Sequence, residues 1–96
     1  MAYLDCHAAE VALRLGDAEL ARQCYPRLAP YAGRTGQAGS ALNAGPIDAF
    51  LAMAAAAGGD TVLAVEHADA AVALMDRWGL VVGRTWFDGV REQFGF

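Results

Sequence analysis

The chain has 96 residues, of which 56% are apolar and 19% charged, and seven arginines against eleven carboxylates give a formal charge of -4. A chain of this mass buries about 64% of its unfolded surface on folding, which supports one modest core and excludes two separate domains. Intrinsic disorder is excluded by the apolar share, and no apolar run approaches the roughly 18 residues of a membrane span.

The opening MAYLDCHAAE lacks a basic start followed by an apolar block, so no secretion signal is read. The two cysteines therefore need not form a disulfide, and a reducing cytoplasm is the expected setting. There is no lysine, and the arginines are scattered from Arg14 to Arg91 among the carboxylates. A nucleic-acid binder concentrates positive charge on one face, so neither nucleic acid nor a membrane is an expected partner. The abundance of alanine points to closely packed helices, since Ala carries little side-chain entropy into a helix and lets neighbouring backbones approach.

In the first segment, Leu4, Ala8, Val11, Ala12 and Leu15 recur at three and four residues, predicting a helix over 3–15. Gly16 ends it, and Asp17 caps a second helix with Glu19 in its first turn. That helix turns Leu20, Ala21, Cys24, Tyr25 and Leu28 to one side, and Pro26 is expected to bend or interrupt it near Arg22. Pro30 discourages continuation, so the first hairpin covers 3–31. The stretch AGRTGQAGSALNAGP, residues 32–46, carries four glycines and no sustained apolar period. It reads as an unusually long connection between the second and third helices.

Pro46 suits the start of a third helix whose stripe is Ile47, Phe50, Leu51 and Ala54. Gly58 and Gly59 end it, and Asp60 caps a fourth helix with Leu63, Ala64, Ala68, Ala71, Leu74, Met75 and Trp78 inward, completing a second hairpin over 47–78. Trp78 is expected to seal its end. A capping helix over 82–94 sets Val82, Trp86, Val90 and Phe94 at four-residue intervals with Phe87 beside them, and pairs Arg84 with Asp88 on its outer side.

A repeat emerges when LGDAELARQCY from Leu15 is set beside GGDTVLAVEHA from Gly58. Gly16 aligns with Gly59, Asp17 with Asp60, Leu20 with Leu63 and Ala21 with Ala64. Each copy ends one helix in Gly, caps the next with Asp and places a small residue four positions later at the crossing, which describes a repeated helical hairpin.

In this respect the sequence resembles tetratricopeptide repeats, with Ala52, Gly59, Ala64 and Ala71 standing where that family keeps small residues. Ala68 departs from the pattern where a large aromatic is usual, while the first copy keeps Tyr25 there. Over about four fifths of its length the chain also resembles the tetratricopeptide-like C-terminal region of actinobacterial signalling ATPases and of LuxR-type or cyclase-linked transcriptional regulators. LAPYAGR, GPIDAFLAMAAAAGGD and EHADAAVALMDRWG carry that resemblance in order. It implies an all-α fold of tetratricopeptide-like hairpins, about five helices, and a protein-interaction or regulatory scaffold module. Such a module is either a protein in its own right or part of a larger signalling or transcriptional regulator, and its partner is a protein or peptide segment or another domain of that parent. The nucleotide-binding, cyclase and DNA-binding segments that accompany this region elsewhere have no counterpart in the sequence, so their activities do not transfer.

No chemistry-bearing constellation stands out. Cys6, His7, Cys24 and His67 are imaginable zinc ligands, but adjacent helical residues diverge by about 100° and no CxxC pair occurs. GRTGQAG lacks the GK[ST] ending of a phosphate loop. The carboxylates have capping or ion-pair roles before catalytic ones, so no enzyme activity, metal or cofactor is expected. The candidate interaction surface is instead Arg14 and Asp48 on the first helices of the hairpins, Tyr31 and Arg34 at the loop entrance, and Trp86 and Phe87 on the last helix. Two other readings stay open: a small helical enzyme or ligand-binding domain with a pocket between hairpins, and a homodimer built on an apolar edge from Leu4 and Val11 or from Trp86 and Phe94.

Overall fold

The computed structural model describes residues 2–31 and 47–96. Among them the chain forms five α-helices and no strand: α1 (Ala2–Leu15), α2 (Ala18–Leu28), α3 (Ile47–Ala57), α4 (Thr61–Trp78) and α5 (Val81–Phe94), with a 3-10 turn at Ala29–Tyr31. The all-α reading holds, with helix ends within one residue of the expected ones. The 32–46 connection lies outside the described residues.

One joint is used three times. Gly16, Gly59 and Gly79 take positive φ of 68°, 91° and 69°, the left-handed conformation that glycine adopts without a Cβ clash. In each case the glycine amide donates to the carbonyl three residues back and the following amide to the carbonyl five back: Gly16 to Leu13 and Asp17 to Ala12, Gly59 to Ala56 and Asp60 to Ala55, Gly79 to Asp76 and Leu80 to Met75. These are Schellman motifs, which satisfy the last carbonyls of the helix. The residue after each glycine is at once the end of that motif and the N-cap of the next helix. Asp17 accepts from the Leu20 amide and Asp60 from the Leu63 amide, both at 3.0 Å, as the repeat predicted. Leu80 holds the same backbone conformation with no side-chain cap.

The joints fold α1 against α2 and α3 against α4, and α3 packs on all of α1, α2 and α4. Ile47 through Ala55 are buried without a break. A helix that is apolar all round is a core helix, so the expected stripe on α3 is replaced by burial on every side. Alanine makes the close crossings: Ala9, Ala12, Ala21, Ala64, Ala68 and Ala71 are all inside. Bulk comes from Leu28, Leu51, Met53, Met75 and Phe87.

Several helix faces differ from expectation. On α1 the inward residues are Cys6, Ala9, Ala12 and Leu13, whereas Val11 and Leu15 face outward. Apolar residues occupy both arcs of this helix, and the arc richer in small side chains makes the closer approach to α2 and α3. On α5 the core residues are Phe87 and Val90, while Val82 is 84% exposed. Steps of four residues advance about 40° each, so Val82 and Phe94 diverge by roughly 120° and do not share one face. Trp78 is 37% exposed and does not seal the end of α4. Pro26 does not interrupt α2, which runs on to Leu28. Only the final turn follows Pro26, and the 3-10 turn containing Pro30 takes over there.

Two features tie α5 down. Arg84 donates to Asp76 at 2.6 Å and to Asp88 at 3.0 and 3.1 Å, joining the end of α4 to the start of α5. Arg91 donates to the Phe96 carbonyl at 3.0 and 2.8 Å and pairs with Asp69 at 3.3 Å. Working against these, Gly83 and Gly89 stand in the helix interior, each costing about 1 kcal/mol relative to Ala. A Cβ at Gly89 would meet nothing within 4 Å.

Candidate functional site

The outer face of α1 carries His7, Val11, Arg14 and Leu15 on the exposed arc opposite its core residues. Val11 is 45% and Leu15 74% exposed, one turn apart. Between them in sequence, Arg14 donates through Nε to Glu10 Oε2 at 3.0 Å and through its second terminal nitrogen at the same distance. An exposed pair of this kind adds only tenths of a kcal/mol to stability, and it ties the guanidinium to Glu10 on the face that carries the two apolar side chains. The result is an apolar ridge with an oriented cation at its edge.

The other expected site residues do not join this face. Asp48 is only 5% exposed and belongs to the core, a correction to its place on the interaction surface. It stands in the first turn of α3, where a carboxylate meets the positive end of the helix dipole. Phe87 is fully buried, which removes it from the surface as well; its ring meets Phe96 edge-on at 6.1 Å. Trp86 is half-buried, tilted against Phe50 at 6.0 Å and Phe87 at 6.1 Å. Tyr31 closes the 3-10 turn, and Arg34 lies outside the described residues. Of the six, Arg14 alone stands on an exposed helix face among the described side chains.

A second place was not read from the sequence. Between α2, α3 and α4 a shallow groove of about 220 Å³ is lined by Ala21, Tyr25, Pro26, Ala54, Ala55 and Leu63, with Arg22 and Asp60 also on it. Beside it the Tyr25 hydroxyl lies 2.7 Å from His67 Nε2, and the two rings meet edge-on at 5.6 Å. Burial raises the Tyr25 pKa, and the negative charges of Asp60 and then Glu66 raise it further. The phenol therefore stays protonated, and it donates to Nε2 wherever that nitrogen carries no proton. No signal in the sequence pointed to this pairing: the repeat aligns Tyr25 with Ala68, not with His67, and the two partners lie 42 positions apart.

Cys6 and Cys24 are buried and not joined in a disulfide, and Cys24 Sγ donates to the Ala21 carbonyl at 3.5 Å. Among the described residues no three of His, Cys, Asp and Glu gather as a metal-binding group. Carboxylates take structural roles: Asp17 and Asp60 cap helices, Glu19 pairs with Arg22, Asp69 with Arg91, and Asp76 and Asp88 with Arg84. No helix among the described residues is long and apolar enough to cross a membrane. No family model, curated protein or solved structure matches the chain.

Proposed function

We propose that the chain is a protein-interaction module in which two tetratricopeptide-like hairpins and a capping helix present the outer face of α1 to a segment of another protein. The observation that carries this reading is the outward placement of Val11 and Leu15 beside the oriented guanidinium of Arg14. Two apolar residues one turn apart with a cation at their edge match an amphipathic helix bearing an acidic residue, the helix-against-helix mode of recognition. Resemblance to the C-terminal region of signalling ATPases and transcriptional regulators extends the proposal to a regulatory scaffold acting in the cytoplasm, with the partner segment in the same parent protein or in a separate one. The groove beside Tyr25 favours ligand binding less well. At about 220 Å³ it falls below the roughly 300 to 1,000 Å³ of small-molecule sites and suits a single side chain.

A photoreactive phenylalanine analogue at Val11 or Leu15, with a control at exposed Ala70, tests the proposal in source cells. An adduct with a distinct protein from positions 11 and 15, absent from position 70 and from a chain also carrying Arg14→Glu, supports it. Adducts absent from both positions, or equally strong from position 70, overturn it.

A further inference from the structure

The outer face of α5 has no counterpart inside the chain. Val81 and Val82 are 74% and 84% exposed, and with Thr85, Asp88, Gly89 and Glu92 they form a continuous exposed arc opposite the buried Phe87 and Val90. Gly89 is open in the same arc, although alanine there would give a more stable helix. An apolar ridge followed about two turns on by a backbone with no Cβ is the pattern of a helix crossing in which one side supplies a knob and the other a hole.

We propose that this face pairs with the same face of a second copy of the chain, α5 against α5 in antiparallel orientation about a two-fold axis near Thr85. Val82 lies three residues before Thr85 and Gly89 four after it, so the axis sets Val82 of each copy opposite Gly89 of the other. That contact is made twice, as an isologous interface requires.

Charge complementarity selects a second copy as the occupant. Outward charges at the start of α5 are Arg77, on the last turn of α4, and Arg84; those further along are Asp88 and Glu92. Antiparallel pairing brings each positive end to the other's negative end. Arg84 and Asp88 already neutralise one another within the chain, together with Asp76. Arg77 and Glu92 form no ion pair with any described residue, and they are the pair the dimer would join. Glu92 is seven residues, or about 10 Å, beyond Thr85, level with the α4–α5 joint of the second copy and within reach of a long side chain at Arg77. The position of Glu92 points the same way. It stands in the last turn of α5, the negative end of its own helix dipole, whereas in the pair it faces the positive N-terminal end of the opposing helix.

A contact between two 14-residue helices is smaller than the roughly 1,600 Å² of a standard interface, which places self-association between about ten micromolar and one millimolar. This dimer is independent of the α1 face proposed above for a different partner.

Sedimentation equilibrium of the full chain across that concentration range tests the inference. The expected result is a mass rising from 10.1 kDa toward twice that value. Val82→Asp is expected to weaken association at least tenfold with an unchanged circular dichroism spectrum, because Val82 touches solvent and not the core. Arg77→Glu and Glu92→Arg each weaken it severalfold, and the double reversal restores it. A monomer at the highest concentration, a dimer indifferent to Val82→Asp and to both charge reversals, or open-ended assembly overturns the proposal. Failure here with retained adducts at Val11 and Leu15 leaves the α1 reading standing, and the converse result leaves the α5 dimer standing alone.

Discussion

Replacing Asp60 by alanine removes one acceptor and almost nothing else. Its Oδ1 receives the Leu63 amide at 3.0 Å, and its backbone carbonyl accepts from Ala64 whatever the side chain is. The loss is therefore the N-cap alone, about 1 kcal/mol. A chain of this length is stable by roughly 5 to 14 kcal/mol and shifts its Tm by about 4 to 8 °C per kcal/mol. Urea unfolding followed by helical circular dichroism is expected to show a lower midpoint with an unchanged slope, since the surface exposed on unfolding is the same. Asp17→Ala, which removes the equivalent 3.0 Å bond to Leu20, is expected to lose a similar amount. The two caps share no hydrogen-bond partner, so the double variant loses about 2 kcal/mol. Asp60→Asn keeps an acceptor oxygen and stays near the parent. An unchanged midpoint for Asp60→Ala, or equal losses for the asparagine and alanine variants, would refute the reasoning that the repeated Gly-Asp joint holds each hairpin.

Ala64→Leu places a large side chain at a fully buried position of α4 and is expected to lose about 1 to 3 kcal/mol by overpacking, read as a lower urea midpoint, whereas Ala70→Leu on the exposed side is near neutral. The Tyr25 pKa is raised above its ordinary 10.0 by burial, Asp60 and Glu66, so the folded chain keeps that proton at a pH where the unfolded chain has lost it. Stability from this group is complete below about pH 10 and falls as the pH rises through the folded pKa; Tyr25→Phe is expected to flatten that alkaline limb in a pH series of urea midpoints.

What could be read from the sequence follows how local its cause is. The joints at Gly16-Asp17 and Gly59-Asp60 were legible because the glycine, the cap and the amide that the cap receives all lie within four residues. The rotation of α1 was not legible. Val11 and Leu15 continue the apolar period as well as Ala9 and Leu13 do, and the choice between them rests on how closely α2 and α3 approach. The same ambiguity misplaced Val82 on α5, where only the aromatic cluster of Phe50, Trp86, Phe87 and Phe96 decides which arc turns inward. Asp48 as a surface residue failed for a related reason: a charge normally marks the solvent side of a helix, and α3 has no solvent side over its first nine residues. The Tyr25–His67 bond joins residues 42 positions apart and left no trace in either local pattern.

The continuous burial of α3 decides how the molecule comes apart. In an open solenoid each repeat touches only its neighbours, and the ends unravel while the middle persists. Here α3 belongs to the second hairpin by sequence yet takes cover from both helices of the first. Detaching either hairpin would uncover the side of α3 that packs on α1 and α2, part of a run of nine buried residues, so the amides of α3 are expected to exchange only when the whole chain opens. The two halves are repeats in pattern and one cooperative unit in energy, and neither hairpin retains its native core once separated from the other.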